Sequence, residues 1–226
     1  MQEIPLSGGR VTSGVVLVDG VVRRPRRPNA RLVRSLLGLL EQTGIEIAPR
    51  YLGVDDQDRE MFSYLDGGVP GELDAHFDDA TVTAAARVIR RFHDATAGTL
   101  LAGEGEAVCH GDLSPCNTIF RGGTPVALID FDNAAPGTRL EDLGYALFLW
   151  LNLGTDGPSP GEQARRIRVF CGAYGVGAGP EVVDAVRAAV AVNVERLREV
   201  GRDADVEWWR AQLRWLDEQN ATLAGG

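Results

Sequence analysis

The sequence contains no lysine, because all 23 basic residues among its 226 residues are arginine. This absence excludes Schiff-base chemistry and the lysine of a Walker phosphate-binding loop. Cysteine is also scarce. The three cysteines, at positions 109, 116 and 171, are odd in number and lack metal-ligand spacing, so neither a disulfide framework nor a zinc site is expected.

Long apolar runs are missing as well, and the N-terminus MQEIPLSGGR lacks the ordered regions of a signal peptide. We therefore expect no membrane contact and a cytoplasmic protein. The net charge of −9 argues against binding to nucleic acid. Residues 61–150 hold thirteen acids against five arginines, which indicates either a solvated surface or a site for metal ions or a cationic substrate.

The first 67 residues show the patterns of an antiparallel sheet with one inserted helix. The stretch VVLVDGVVRR (15–24) predicts a β-hairpin with an Asp-Gly turn at 19–20. The stretch NARLVRSLLGLLEQTG (29–44) predicts a helix that begins with an Asn29 cap and stops at Gly44. Further strands are predicted at 4–6, 49–56 and 59–67.

After about residue 76 the pattern becomes mainly helical, and the apolar helix predicted at 140–154 should be deeply buried. We predict an α+β fold in which a small β-rich lobe, residues 1–67, precedes a larger helical lobe, residues 68–226. The stretch GVPGE (68–72) is the expected crossover. Other helices are predicted at 79–98, 160–175, 180–201 and 206–224, with short strands within 106–113 and 117–132.

Several polar residues lie close together in HGDLSPCN (110–117) and IDFD (129–132). Acids this near one another repel unless something neutralises them. Mg²⁺ takes one or two carboxylates from a protein and completes its shell with phosphate and water. Asn117 and Asp130 are suitable ligands, and Asp112 would then orient a hydroxyl and accept its proton.

These two motifs resemble the catalytic core of the aminoglycoside phosphotransferase and choline kinase family, distant relatives of the protein kinases. The family pattern H-G-D-x-x-x-x-N, followed by a strand that ends in I-D, is matched in both parts. The resemblance implies a protein-kinase-like two-lobe fold. It also implies that Asp112 is the catalytic base, that Asn117 and Asp130 are magnesium ligands, and that His110 organises the loop.

The resemblance extends to the segments on either side. FHDAT (92–96) is similar to the family's helix before the catalytic loop, and LEDLGYAL (140–147) to the helix after the metal loop, where Asp142 would brace the catalytic loop. In MFSYLDG, which resembles the hinge, backbone groups near Ser63 and Leu65 would meet a purine base.

Two features of the sequence bear on how the phosphates of a nucleotide would be bound. Gly8 and Gly9 would belong to a phosphate-covering loop, for which a plain glycine-rich loop is the alternative. In relatives, a lysine on the third strand contacts the phosphates and pairs with a glutamate on the following helix. Here the strand reads VVRRP, so the resemblance assigns that role to Arg24 in preference to Arg23. Helix residues 29–40 contain no acid to pair with it.

Other residues near the motifs are expected to be structural. Asp132 is interpreted as an exposed loop acid, with a place beside the metal as the alternative. His93 is expected to pack in the core rather than to bind a ligand. Trp208, Trp209 and Trp215 fall at helical spacing, which is typical of core and lobe packing.

The function implied is that of a small-molecule kinase that uses ATP or GTP, Mg²⁺ and a hydroxyl acceptor, such as an aminoglycoside or an amino alcohol. The alternative is a weak or inactive kinase-like binding or immunity protein, because the compact, lysine-free sequence also resembles proteins named trifolitoxin immunity proteins. A metal-dependent hydrolase is disfavoured, because histidine ligands are lacking. The acceptor, the choice between ATP and GTP, and the oligomeric state stay open.

Overall fold

Five strands in the first part of the chain form one antiparallel sheet with the order β1-β2-β3-β5-β4. This computed structural model describes residues 2–6, 14–70 and 76–225. The crossover predicted at 68–72 therefore lies partly outside the described residues. The strands are β1 (Ile4–Pro5), β2 (Val16–Val18), β3 (Val21–Pro25), β4 (Tyr51–Val54) and β5 (Arg59–Ser63).

The turns of this sheet have the geometry that their residues predict. Asp19 and Gly20 have φ angles of 50° and 78°, the left-handed values that a two-residue hairpin turn requires. In the turn between β4 and β5, the Asp55 carboxylate accepts hydrogen bonds from the backbone N–H groups of Gln57 and Arg59, at 3.0 and 2.9 Å. The predicted antiparallel sheet with one inserted helix is confirmed.

Helix α1 (Ala30–Gln42) packs on this sheet through the apolar face formed by Val33, Leu36, Leu37 and Leu40. The predicted Asn29 cap is wrong. Asn29 has φ −86° and ψ 8° and makes no side-chain capping bond. Its amide nitrogen, which is a donor, instead bonds the carbonyl oxygens of Asp132 and Ala134, at 3.1 and 2.9 Å.

The rest of the described chain is mainly helical, with two small strand pairs, β6–β9 and β7–β8. Strand β9 and the split of the predicted C-terminal helix at Gln219 were not foreseen; the split lets Leu223 pack in the core. The elements are α2 (Asp79–Thr96), β6 (Ala107–Cys109), β7 (Thr118–Arg121), β8 (Thr124–Leu128), β9 (Ala135–Gly137), α3 (Arg139–Trp150), α4 (Pro160–Tyr174), α5 (Pro180–Glu199), α6 (Asp203–Glu218) and α7 (Asn220–Leu223).

Helix α3 is the centre of the helical part, and its burial agrees with its apolar sequence. The indole N–H of Trp150, at its end, donates to the Leu113 carbonyl at 3.1 Å and so holds the loop after β6. Trp208 packs on the rings of Phe148 and Trp209, as predicted, but it is 44% exposed and so lies outside the core, and its indole N–H donates to the Asp156 carboxylate at 3.0 Å. No helix in the described ranges is both long and apolar enough to cross a membrane.

Candidate active site

The loop after β6 contains HGDLSPCN, and its second residue, Gly111, must be glycine. Gly111 has φ 77°, and a Cβ atom at this position would lie 2.5 Å from the Asn133 carbonyl oxygen. The left-handed conformation and the close approach together exclude a larger side chain. The loop is thereby packed against the segment that follows β8, which contains the second predicted motif.

The side chain of Asp142, in α3, anchors this loop. Its carboxylate accepts hydrogen bonds from the backbone N–H groups of His110 and Gly111, at 2.7 and 2.9 Å. Burial raises the pKa of Asp142, but hydrogen bonds from the His93 side chain and the His110 backbone outweigh it, so that the net pKa lies below its ordinary value. The predicted brace is therefore present, as an ionised and fully engaged carboxylate.

His93 of α2 connects Asp142 to Tyr174 of helix α4, and no sequence motif links α4 to this site. The His93 ring lies 3.0 Å from the Asp142 carboxylate through Nε2 and 2.7 Å from the Tyr174 hydroxyl through Nδ1. His93 is fully buried, as expected for a packing histidine, and it also belongs to a polar chain that runs from α4 to the catalytic loop. No local pattern around Tyr174 marks this role.

The His110 ring ties the two motifs together. Its Nδ1 accepts from the backbone N–H of Asp112 at 3.3 Å, so Nε2 carries the proton and donates to the Ile129 carbonyl at 3.0 Å. The ring also packs on Phe131, with the centroids 4.7 Å apart. His110 therefore holds the chain around Asp112 close to the chain around Asp130.

Asn117 and Asp130 both line one cleft, and the Ile129 backbone N–H beside Asp130 donates to the Asn117 carbonyl oxygen at 2.9 Å. The Asn117 amide nitrogen donates to the Asp112 carbonyl at 3.0 Å, which leaves the amide oxygen as the atom that could bind a cation. Asp130 has the left-handed φ of 63°. Burial and the neighbouring Asp132 raise the pKa of Asp130, while Arg24 opposes them. A cation beside Asp130 would favour its charged form.

Arg24 lies among three acids, Glu60, Asp130 and Asp132, and the four residues form an acidic cluster. Its guanidinium group is 2.7 Å from Asp132, 3.4 Å from Asp130 and 3.5 Å from Glu60. The interpretation of Asp132 as an exposed loop acid is wrong: its side chain is 22% exposed and also lies 3.7 Å from Arg27. The loop geometry turns Asp132 toward two arginines instead of toward solvent.

Glu60 is the residue of this cluster that sequence reasoning missed. Its side chain is only 1% exposed. Burial, the largest cause, and repulsion from Asp132 raise its pKa, whereas Arg24 lowers it. Strands β3 and β5 are separated in sequence by α1 and β4, so no short turn sets the register that places Glu60 beside Arg24.

A cleft of about 350 Å³ lies between the sheet and the segments that contain Asn117 and Asp130. Of the predicted site residues, Arg24, Ser63, Leu65, Asn117 and Asp130 all line the cleft, whereas Asp112 and His110 are not among its lining residues. Gly8 and Gly9 lie outside the described residues. Apolar side chains form much of the wall, among them Val22, Val33, Leu37 and Phe62.

The hinge residues differ in what they can offer a ligand. The Ser63 backbone N–H donates to the Arg50 carbonyl at 2.9 Å, and the Ser63 hydroxyl accepts from the Arg50 N–H at 2.8 Å. The Ser63 N–H is therefore already used within the sheet. Leu65, two residues later and beyond the end of β5, is the better candidate for a contact with a purine base.

The oxygen atoms of this site suit a magnesium ion that arrives with a ligand. Within the described part of the chain, no group of three or more His, Cys, Asp or Glu residues could hold a metal by itself. Asp130 and Asn117 offer one carboxylate and one amide oxygen. Mg²⁺ commonly binds through so few protein ligands when phosphate and water complete its shell, so the residues fit a magnesium–nucleotide complex.

Comparisons with known proteins agree with this architecture. The phosphotransferase enzyme family matches residues 97–181, which contain both motifs and Asp142. The trifolitoxin immunity protein of Rhizobium leguminosarum bv. trifolii is 30% identical over an alignment of 261 positions that spans 98% of this chain and 97% of that protein.

Solved structures share the fold at low identity. The GDP complex of aminoglycoside 2′-phosphotransferase-IIIa has a TM-score of 0.61 and 18% identity, covering 98% of this chain and 93% of that chain. Macrolide 2′-phosphotransferase from Brachybacterium faecium has a TM-score of 0.58 and 19% identity, covering 88% and 86%.

The structural likeness confirms the protein-kinase-like α+β fold, with an antiparallel sheet before a mainly helical part. The nearly full-length relative and the family match across the catalytic loop support the same assignment. This chain belongs to the phosphotransferase enzyme family, in a compact form similar to the trifolitoxin immunity protein.

Proposed function

We propose that the protein is a small-molecule kinase that transfers the γ-phosphate of ATP or GTP to a hydroxyl group of a small cationic acceptor. The observation that supports this most is the linkage of Asp112, Asn117 and Asp130. The His110 ring and the Asn117 amide tie these three residues into one unit beside the cleft. A general base and two oxygen ligands for a cation are thus held together.

Each part of the site has one role in this proposal. The apolar wall of the cleft receives the base, with Leu65 at its edge, and Arg24 contacts the phosphates. Asp112 orients the acceptor hydroxyl and takes its proton. Asn117 and Asp130 would hold Mg²⁺, which neutralises phosphate charge when bound. Phosphoryl transfer depends chiefly on such positioning and electrostatic stabilisation.

The two predicted lobes divide this work. We assign nucleotide binding to residues 1–67, and catalysis and acceptor binding to residues 68–226. Arg24 and the hinge lie in the first range, whereas Asp112, Asn117 and Asp130 lie in the second.

An amino sugar or amino alcohol is the acceptor class that we favour. The acid excess of residues 61–150 would attract a cation. A protein of similar fold, with a TM-score of 0.61, was solved as a complex with GDP and kanamycin. Kanamycin, with either nucleotide, is therefore a reasonable first ligand to test on this chain.

A binding or immunity function without turnover is the second candidate. The relative at 30% identity carries the name of an immunity protein. In this chain Arg24, the candidate for the usual lysine, is bound by two acids of the metal loop, so the nucleotide must displace it. Weak or absent turnover would be consistent with that competition.

The test is calorimetric titration of ATP and GTP, with and without Mg²⁺, on the wild type and on Asp130→Asn. We expect magnesium-dependent binding to the wild type and its loss in the variant. The matched control is Asp58→Asn, which changes an exposed acid that also has positive φ and pairs with Arg26 at 3.1 Å. Equal affinities in wild type and Asp130→Asn, with magnesium present, would exclude the assigned metal site.

Transfer is then measured as loss of the γ-phosphate in the presence of amino sugars and amino alcohols. Transfer that depends on an acceptor supports the kinase. Nucleotide binding without transfer to any acceptor would favour the second candidate.

A further inference from the structure

Helix α1 supplies no counter-ion for Arg24. The only acid within Ala30–Gln42 is Glu41, in its last turn. Glu41 lies 3.9 Å from Arg50, and both side chains are at least half exposed. An arginine that must hold a fixed position in a phosphate site therefore needs its acidic partner from another element.

Strand β5 provides that partner. Arg24 and Glu60 are directly opposite each other in the antiparallel register of β3 and β5. Side chains of such a pair lie on the same face of a sheet. The neighbouring pair on this face, Val22 and Phe62, lines the cleft. The sheet itself thus places Glu60 beside the guanidinium group at the wall of the cleft.

The buried environment of Glu60 indicates that this carboxylate depends on a nearby counter-ion. The side chain is 1% exposed, and its Oε2 atom has no hydrogen-bond partner among the described residues, although it lies 3.5 Å from Arg24 Nη2. A buried carboxylate without such a bond is unfavourable unless a counter-ion lies close by. The same Nη2 atom is bound more tightly by Asp132, at 2.7 Å.

The partners of Arg24 therefore fall into two kinds. Asp130 and Asp132 belong to the loop after β8, and a bound cation or phosphate would compete with Arg24 for them. Glu60 is fixed by the strand ladder and remains beside Arg24 whatever the loop binds. If the guanidinium group turns toward phosphates, the contact with Glu60 is the one that the sheet preserves.

We propose that Glu60 is the positioning residue for Arg24: strand β5, rather than helix α1, supplies the acid that holds this arginine against the phosphates of a bound nucleotide. The inference rests on the proposed function, because it requires Arg24 to contact the nucleotide. Glu60 itself touches no substrate and acts only through Arg24.

The test compares a triphosphate with its bare nucleoside. In Glu60→Gln, which keeps the shape and removes the charge, we expect affinity for magnesium–ATP to fall about tenfold, because Arg24 loses the counter-ion that positions it. Affinity for adenosine should be unchanged. The same pair of titrations is made with GTP and guanosine. Glu41→Gln, the same change on the only acid of α1, serves as the control and should alter neither affinity.

When the wild type binds nucleotide, either of two results would overturn the inference. Equal loss of affinity for triphosphate and nucleoside would mean that Glu60 only supports the lobe. Unchanged affinity for both would mean that Arg24 is positioned without it. If the wild type binds no nucleotide, the proposed function fails and the inference fails with it. If the wild type binds nucleotide and Glu60→Gln binds it equally well, the proposed function stands and only the positioning role of Glu60 is excluded.

A double-mutant cycle keeps the test decisive if Glu60→Gln folds poorly. Arg24→Ala should weaken binding of the triphosphate more than that of the nucleoside. Adding Glu60→Gln to Arg24→Ala should then cause no further loss of triphosphate affinity, because the Arg24 side chain that Glu60 positions is already removed. An additional loss of similar size in the double variant would show that Glu60 acts independently of Arg24. Glu60→Asp, which retains the charge, should bind magnesium–ATP more tightly than Glu60→Gln.

Discussion

In the proposed mechanism Asp112 is the general base, and this role can be tested separately from ligand binding. Asp112 is not among the residues that line the cleft, and its backbone is held by His110 and Asn117. Asp112→Asn should therefore lower kcat by roughly 10²–10⁴-fold, as expected for a lost general base, with little change in nucleotide affinity.

Steady-state kinetics and calorimetry on the same preparation separate these two quantities. The control is Asp56→Asn, which changes an exposed acid in the turn between β4 and β5. A fall in nucleotide affinity that accounts for the whole loss of rate would contradict the role of Asp112 as a base.

Asp142 should make the stability of the protein sensitive to acid. Its pKa is lower in the folded chain than in the unfolded chain, so the carboxylate stabilises the fold above its unfolded pKa of about 3.9. This contribution is lost as the pH falls through the still lower folded pKa. Asp142→Asn should thus be less stable than the wild type at pH 7, by about 1–3 kcal/mol.

The measurement is the melting temperature of both proteins between pH 7 and pH 3. The difference between them should stay constant at neutral pH and narrow below about pH 4. A constant difference over the whole range would show that the charge of Asp142 does not contribute.

At the scale of elements, helices α3 and α5 pack so closely that one position between them must be glycine. A Cβ atom on Gly144 would lie 2.3 Å from the Ala185 carbonyl oxygen. Gly144→Ala should therefore destabilise the protein by about 1–3 kcal/mol through overpacking. On α4, a Cβ atom on Gly172 would meet nothing within 4 Å.

Gly172→Ala is thus the matched control, and it should be neutral or stabilising by about 0.5–1 kcal/mol. Denaturant unfolding of both variants gives the comparison. Similar stabilities for the two variants would mean that α3 and α5 can separate slightly at no cost.

Asn29 connects the start of α1 to the segment after β8, and its chemistry can be tested by exchanging donor for acceptor. Asn29→Asp keeps an acceptor that could cap the helix but loses the donor that binds the Asp132 and Ala134 carbonyls. We expect the variant to lose about 1–3 kcal/mol of stability, because two carbonyls lose a partner and the new charge lies near Asp132.

Denaturant unfolding checks this prediction, with Asn29→Ala as the companion variant that lacks both donor and acceptor. If Asn29→Asp were more stable than Asn29→Ala, capping would be the more important role of the side chain.

At the scale of the whole molecule, the sheet and the helical part meet at the acidic cluster, so a ligand there should stabilise both. Magnesium–ATP at about 100 times its dissociation constant adds about 2.7 kcal/mol to the free energy of unfolding. For a chain of this size that corresponds to a rise in melting temperature of about 5–10 °C. Asp130→Asn should show no such rise with magnesium–ATP, and a similar rise in this variant would contradict the metal assignment.

The sequence was most informative where structure depends on neighbouring residues. The hairpin turn at Asp19 and Gly20, the apolar face of α1 and the burial of α3 all follow from local patterns. It was least informative where a short element depends on distant packing. Strand β9 pairs with β6 across the intervening β7–β8 hairpin, and the break at Gln219 lets Leu223 pack in the core.

The sequence by itself determined which chemical groups this protein offers: the Asp112 carboxylate, the Asn117 and Asp130 oxygens and an arginine where relatives have lysine. The first three stand at spacings that a single loop and a hairpin bring together. Only the tertiary structure decided which acid accompanies Arg24. Glu60 and Asp132 come to it from a distant strand and a distant loop. Register between strands that are far apart in sequence is set by packing across the sheet, and no local pattern encodes it.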